Sequence, residues 1–401
     1  MGHLVHRKDT MPLFSPAFFV AAFFSLLCTS LTLPAHAIAL DASVNEQVIM
    51  LPVTVHGQRL EFETTIYKPP GNGPFPLLLM NHGKERGNPT LQKRDRFLAM
   101  SREFVKRGYA VAVPMRKGFS NSTGAYGDLG CNMTGNGQLQ ADDVQATLTA
   151  LEQQSWVDAD HIIVAGQSYG GLATMALGTR HISGVRGLLN FAGGLRIDGG
   201  DCNWRDALVT AFADYAGKTA LPSLWFYGAN DSYFNPVLAS RLIQAYQGAG
   251  GRAQLVAFSN FKSDAHGMIG SRDGVAVWWP DTERFLQSIG MPTAETVTLP
   301  AAPKLLTTHF AAISNIAAVP YLSDSGREAY RSFLGRSTPR AFALSSTGEW
   351  SWAEEGDDPV DRVLAACQKS SRSACRVYAV DSDVVWSEER DALTPAQASG
   401  K

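Results

Sequence analysis

The chain has 401 residues, enough for one large domain and a small one. Hydrophobic residues make up 45% of it and charged residues 18%, the balance of a globular chain with a substantial core. A formal net charge of -2 excludes a basic field that would draw it to nucleic acid or anionic membranes, and no fixed-period repeat or low-complexity tract is present.

Residues 1–37 read as an export signal. Arg7 and Lys8 supply a positive start, an apolar run follows, and Ala35-His36-Ala37 is the small-x-small pattern that signal peptidase cuts. The other reading is an uncleaved membrane anchor; prolines at 12, 16 and 34 and the cleavage pattern favour removal. Cys28 follows Leu27 rather than a small residue, which argues against a lipoprotein anchor. The mature chain then begins at Ile38, is periplasmic or secreted, and holds no later apolar run long enough to span a bilayer.

Residues 47–55 and 59–68 alternate like an antiparallel strand pair turning at His56-Gly57. Short apolar runs at 76–80, 109–114, 161–165, 186–191, 222–227 and 253–258 then read as buried parallel strands. Helical patterns lie between most of them, over 92–107, 139–154, 170–180, 203–216, 236–247 and 275–289. This alternation implies an α/β fold, a mostly parallel sheet with helices on both faces, over residues 38–290.

Three prolines and little periodicity mark residues 291–304 as a linker. Beyond it, 305–388 reads as a small α+β domain: a helix at 324–334, a hairpin around Thr347-Gly348, a helix into Cys367 and a strand from Cys375. Residues 389–401 read as a flexible tail. Four cysteines remain after signal removal, and an oxidising compartment makes disulfides their default. Of three connectivities, Cys131–Cys202 with Cys367–Cys375 is favoured because each pair falls inside one expected domain.

The chemistry gathers in IIVAGQSYGG (162–171). Gly166-Gln167-Ser168-Tyr169-Gly170 fits the nucleophile-elbow pattern G-x-S-x-G, between an expected buried strand and an expected helix. A turn that sharp needs small residues two places either side of the serine, and it lifts the serine hydroxyl clear of the sheet. A plain glycine-rich turn is the other reading, and the strand–turn–helix context weighs against it.

A serine hydroxyl needs a base, and an elbow of this kind takes its partners in the order Ser, acid, His. Only His181, His266 and His309 follow Ser168. His181 lies a helix-length after the nucleophile and His309 beyond the linker, which leaves His266. Of the intervening aspartates, Asp231 follows a strand end directly; Asp264 is two residues from His266 and badly placed to reach its ring. The oxyanion donors are expected to be the amides of Tyr169 and of Lys84, or of Gly83, in the loop after the third strand. His82 precedes the serine and reads as a structural hydrogen-bonding group.

Together, the His-Gly after strand three, R-K-G-x-S-x-S-x-G at 116–124, GQSYGG, GAND and DAHG resemble the dienelactone hydrolase-like and prolyl oligopeptidase-like branch of the α/β-hydrolases, over about residues 45–290. The resemblance implies a Ser-His-Asp hydrolase. The chain departs from dienelactone hydrolases in carrying serine where they have cysteine and in its export signal, and it lacks the propeller of prolyl oligopeptidases.

Two glycine-rich loops, 116–136 and 192–204, leave strand ends beside Ser168, and a Cys131–Cys202 bridge would staple that rim. Tyr169, Trp204, Tyr233 and Phe234 are candidates for an aromatic wall, with core packing the equal alternative. No Walker loop, dinucleotide fingerprint or metal-ligand cluster stands in the sequence, so no cofactor is expected. The expected activity is hydrolysis of a small-molecule carboxylic ester. A peptidase or amidase of the same mechanism, and a non-catalytic binding protein on the same fold, are the alternatives.

Overall fold

Positive φ at two successive residues builds the first turn. The computed structural model describes residues 40–199, 201–300, 305–336, 338–354 and 359–387. In it β1 (Gln47–Val55) and β2 (Gln58–Tyr67) pair antiparallel around His56 (φ 48°) and Gly57 (φ 80°), as a two-residue hairpin requires.

The chain continues through β3 (Phe75–Asn81), α1 (Leu98–Lys106), β4 (Ala110–Pro114), α2 (Met133–Leu151), β5 (Val157–Gln167) and α3 (Tyr169–Leu177). It then adds β6 (Val185–Phe191), α4 (Trp204–Ala216), β7 (Ser223–Gly228), α5 (Pro236–Gly248), β8 (Ala253–Phe258) and α6 (Val275–Ser288). These strands form one sheet in the order β1-β2-β4-β3-β5-β6-β7-β8. Only the pairings of β2 with β1 and β4 are antiparallel; β3 to β8 run parallel.

The apolar runs follow from burial on both faces. Leu77, Leu79, Ile162 and Val164 enter one core with α2, α3, α4 and α5, while Leu78, Met80, Ile163 and Ala165 enter the other with α1 and α6. One sheet is thus sandwiched between two helical layers, and its carboxyl strand ends open onto one edge.

Two helices differ from their sequence patterns. The one expected over 92–107 starts only at Leu98. Arg94 and Arg96 are drawn onto the fully buried carboxylate of Glu46, a long-range pairing that periodicity does not register. The helix expected from 139 starts at Met133, capped by Asn132, whose side chain accepts the Gly135 N–H. The end of the glycine-rich stretch 116–136 is therefore helical. Gly137 is a packing glycine: a Cβ there would lie 2.1 Å from the Tyr215 hydroxyl.

The segment after α6 is fastened rather than free: Thr296 and Val297 donate to the Lys106 carbonyl at 2.8 and 2.9 Å, and Tyr109 donates to that of Pro292 at 2.8 Å. A separate antiparallel sheet follows, built from β9 (Arg340–Ser345), β10 (Trp350–Glu354), β11 (Cys375–Val380) and β12 (Asp383–Val384) in the order β10-β9-β11-β12. Helix α7 (Asp324–Leu334) packs Tyr330 and Phe333 on Phe342 and Tyr378. Helix α8 (Pro359–Ser370) covers Ala341 and Ala343 with Val363 and Cys367, and Cys367 is bonded to Cys375.

Among the described residues no helix is long and apolar enough to cross a membrane. The expected export signal, residues 1–37, and the expected tail, 389–401, lie outside the described residues.

Candidate active site

Ser168 stands between β5 and α3 with φ 54° and ψ -122°, a backbone strained for a side chain larger than glycine. The flanking glycines are sterically required. A Cβ on Gly166 would fall 2.1 Å from the Gly170 carbonyl oxygen, and one on Gly170 would fall 2.1 Å from that of Asn81. The turn is held by the Ser168 N–H donating to Phe191 (3.0 Å) and by the Ser168 carbonyl accepting from Leu172 (3.2 Å) and Gly194 (2.9 Å). No side chain caps the start of α3, so the Tyr169 amide begins the helix without a capping acceptor.

The loop after β3 lies against the nucleophile: a Cβ on Gly83 would approach the Ser168 Cβ to 3.2 Å and the Gln167 Oε1 to 2.5 Å. Beneath it His82 is fully buried. Its Nε2 accepts the Arg116 N–H at 3.0 Å, so Nδ1 carries the proton and donates it to the Gly83 carbonyl at 2.6 Å. Burial, helped by the Arg116 guanidinium, holds the His82 pKa well below the ordinary imidazole value, so the ring is neutral. Gln92 donates to the same Gly83 carbonyl at 3.2 Å and accepts the Glu85 N–H at 2.9 Å. His82 is thus the hydrogen-bonding group its place in the sequence suggests.

At the ends of β7 and β8 the structure joins Asp231 and His266. The Asp231 side chain is wholly buried; Oδ1 accepts the N–H groups of Tyr233 and Phe234, each at 2.8 Å. Oδ2 accepts from His266 Nδ1 at 3.1 Å. The His266 ring is 13% exposed and lies against the Tyr233 ring, 4.5 Å between centroids and 29° from parallel. Gln167, next to the nucleophile, donates to the His266 carbonyl at 3.2 Å and so couples the two loops. Among the described residues no hydrogen bond joins Ser168 Oγ to the His266 ring.

Lys84, Ser168 and Tyr169 line one cleft of about 430 Å³. Leu195, Ile197, Tyr233 and Phe234 line it as well. A larger groove, about 1190 Å³, lies between the β1–β2 hairpin and α2; none of Ser168, Asp231 and His266 lines it. Of the expected aromatic wall, Tyr233 and Phe234 are at the cleft. The Tyr169 ring is 1% exposed, 5.8 Å from the Arg116 guanidinium. Trp204 is buried behind Phe234, edge-on at 6.2 Å. Tyr126, which the sequence did not single out, lines the cleft under the Lys84 ammonium, 5.7 Å from the ring centroid. Cys131 and Cys202 are bonded to one another, tying the start of α2 to the start of α4. Across the cleft mouth Arg86 approaches Asp198 to 3.8 Å, and Arg196 holds the same carboxylate at 2.6 Å. Among the described residues no group of histidine, cysteine, aspartate or glutamate side chains has the arrangement of a metal site.

The family model for the X-Pro dipeptidyl-peptidase (S15 family) matches residues 57–197. Among solved structures the chain is similar to one from Klebsiella pneumoniae named for a dienelactone hydrolase (16% identity, TM-score 0.42), covering 61% of this chain and 99% of that one. It is also similar to Est1E of Butyrivibrio proteoclasticus, solved with ferulic acid bound (18%, 0.44; 60% and 99%). A third is the acylaminoacyl peptidase of Pyrococcus horikoshii (15%, 0.47; 63% of this chain and 43% of that one). No curated protein matches the chain at a significant level. With its strand order and its elbow the chain has the fold of the α/β-hydrolases, and the family model matches the part of it that runs from β2 past the elbow.

Proposed function

We propose that the chain is an exported serine hydrolase that cleaves small carboxylic esters through an acyl-enzyme. The observation that carries this reading is a strained elbow serine whose neighbour Gln167 is bonded to the carbonyl of a histidine already paired with a buried aspartate. Ser168 Oγ gives its proton to His266 Nε2 and attacks the ester carbonyl carbon. The negative charge that develops on the carbonyl oxygen is taken by the amides of Tyr169 and Lys84. Because a trans peptide sets N–H opposite C=O, fixing the Gly83 carbonyl on His82 turns the Lys84 N–H the other way. His266 then protonates the departing alcohol, and water, activated by the same ring, releases the acid; Asp231 orients the ring and stabilises its charged form.

The cleft supports a small substrate with one apolar arm. Its volume is near the lower end for small-molecule sites, and Leu195, Ile197 and Phe234 offer apolar surface within a lining that also carries Lys84, Arg86, Arg196 and Asp198. Two disulfides support export and the proposed division into a hydrolase domain, a linker and a small disulfide-bonded domain.

The match to a peptidase family over 57–197 favours amide cleavage as the second reading. Turnover of a p-nitrophenyl ester against an aminoacyl anilide separates the two: the ester reading expects the ester to be preferred beyond its intrinsic reactivity, and preference for the anilide overturns it.

A further inference from the structure

Two polar side chains flank the acid–base pair without belonging to it. Asn230, on the turn that carries Asp231, reaches into the loop that carries His266. Its Oδ1 accepts the Phe261 N–H at 2.9 Å, and its Nδ2 donates to the carbonyls of Phe261 at 3.4 Å and Lys262 at 3.1 Å. Asp264, on the histidine loop, reaches the opposite way. Its carboxylate accepts the Ser232 N–H at 3.1 Å, the Ser232 hydroxyl at 2.5 Å and the His266 N–H at 2.9 Å.

Each loop thus sends one side chain into the other's backbone, one residue before Asp231 and two before His266. The ring itself meets the aspartate through a single bond of 3.1 Å. A single bond fixes a distance more than a tilt; the Tyr233 ring restrains one face of the imidazole, and the backbones of the two loops are tied to each other by these two side chains. We infer that Asn230 and Asp264 are positioning residues, a reciprocal latch that sets how the His266 ring is presented to Asp231 and, through it, to Ser168.

Three further facts support the assignment. Burial pushes the Asp264 pKa up, but the Ser232 and His266 donors outweigh it and hold the carboxyl below its ordinary range, so it is the ionised acceptor the latch needs. Lys262, the nearest cation on its loop, is engaged elsewhere, with Asp273 at 2.7 Å and Ser271 at 3.0 Å. Ser232 is exposed, so releasing it opens no core.

The latch rests on the serine-hydrolase reading, and the test separates the two. In the full chain, Asp264→Ala and Asn230→Ala are compared with wild type for kcat, KM, melting temperature, the rate of Ser168 labelling by a fluorophosphonate, and the downfield proton resonance of His266 Nδ1. The latch requires kcat and labelling to fall about 10- to 100-fold with KM within about twofold, the loss typical of a misaimed catalytic group. The resonance broadens or vanishes while the melting temperature holds. Asp264→Asn keeps an acceptor oxygen for the backbone amides and restores most of the rate. Unchanged kcat and resonance in both alanine variants, or a fall in kcat only in step with melting, overturns the latch. If wild type takes no label but Asp264→Ala still loses the resonance, the latch stands and the hydrolase reading fails.

Discussion

His82 donates its Nδ1 proton to the carbonyl of the adjoining Gly83 at 2.6 Å, while its Nε2 is occupied by the Arg116 amide. A fully buried group therefore holds the carbonyl of the peptide whose N–H we assign to the oxyanion. His82→Ala removes the shorter of the two bonds on that carbonyl and leaves Gln92 at 3.2 Å, and we expect kcat to fall about 10- to 100-fold, somewhat less than deletion of an oxyanion donor. Steady-state kinetics check it; wild-type kcat in a folded His82→Ala protein contradicts it.

The same ring makes a pH prediction. Its folded-state pKa is held well below the ordinary value by burial and by Arg116, so the unfolded chain binds the proton first. Stability from this group is fully present above about pH 6.5 and is lost as pH falls through the unfolded value toward the folded one, by up to about 1.4 kcal/mol per pH unit. Melting temperatures from pH 7.5 to 5 should fall less steeply in His82→Gln than in wild type. Parallel slopes would count against it.

Gly166→Ala tests the elbow itself. The added Cβ would sit 2.1 Å from a carbonyl oxygen rather than beside a flexible side chain. Overpacking of this kind costs about 1–3 kcal/mol. We expect a lower melting temperature together with loss of Ser168 reactivity, read by calorimetry and by probe labelling.

The Cys131–Cys202 bond closes a loop of 71 residues, worth roughly 4 kcal/mol in the chain-entropy account. It also anchors the loop bearing Leu195 and Ile197. In a Cys131→Ser, Cys202→Ser variant, substrate range or turnover should change at temperatures where circular dichroism still reports a folded protein. Activity and structure lost together would limit the bond to a global role.

Residues 195–198 all line the cleft, and the half-buried Leu195 and Ile197 supply its apolar part between the exposed Arg196 and Asp198. Ile197→Ala should raise kcat/KM for longer acyl esters relative to acetate by about 10-fold, the order expected when an apolar pocket gains a few methylene volumes. A graded p-nitrophenyl ester series measures it; an unchanged chain-length profile contradicts it.

Much of this was legible in the sequence because the determining contacts are local. Ile162 to Val164 declare a strand buried on both faces, and Gly166 and Gly170 declare the elbow, since their need for small size is set within five residues. Asp231 and His266 followed from chain order and strand ends. What stayed hidden depends on residues far apart. Nothing near Arg94 or Arg96 marks Glu46 as their partner, so the local pattern overstates the length of α1. Gly135 and Gly137 looked like loop, because their requirement comes from the Asn132 cap and from Tyr215. Gln167 filled a variable position of the motif, and only the fold brings it to the His266 carbonyl. Asp264 does not reach the ring, as its spacing implies; its reach is to Ser232 and to the His266 amide.

The central claim is that Ser168 is a nucleophile activated in the folded chain. Mass spectrometry of the protein after exposure to a fluorophosphonate tests it most directly. The reading predicts one adduct on the peptide containing Ser168, absent in Ser168→Ala and strongly slowed in His266→Ala. An adduct that persists in Ser168→Ala, or a wild-type protein that takes none, would contradict it.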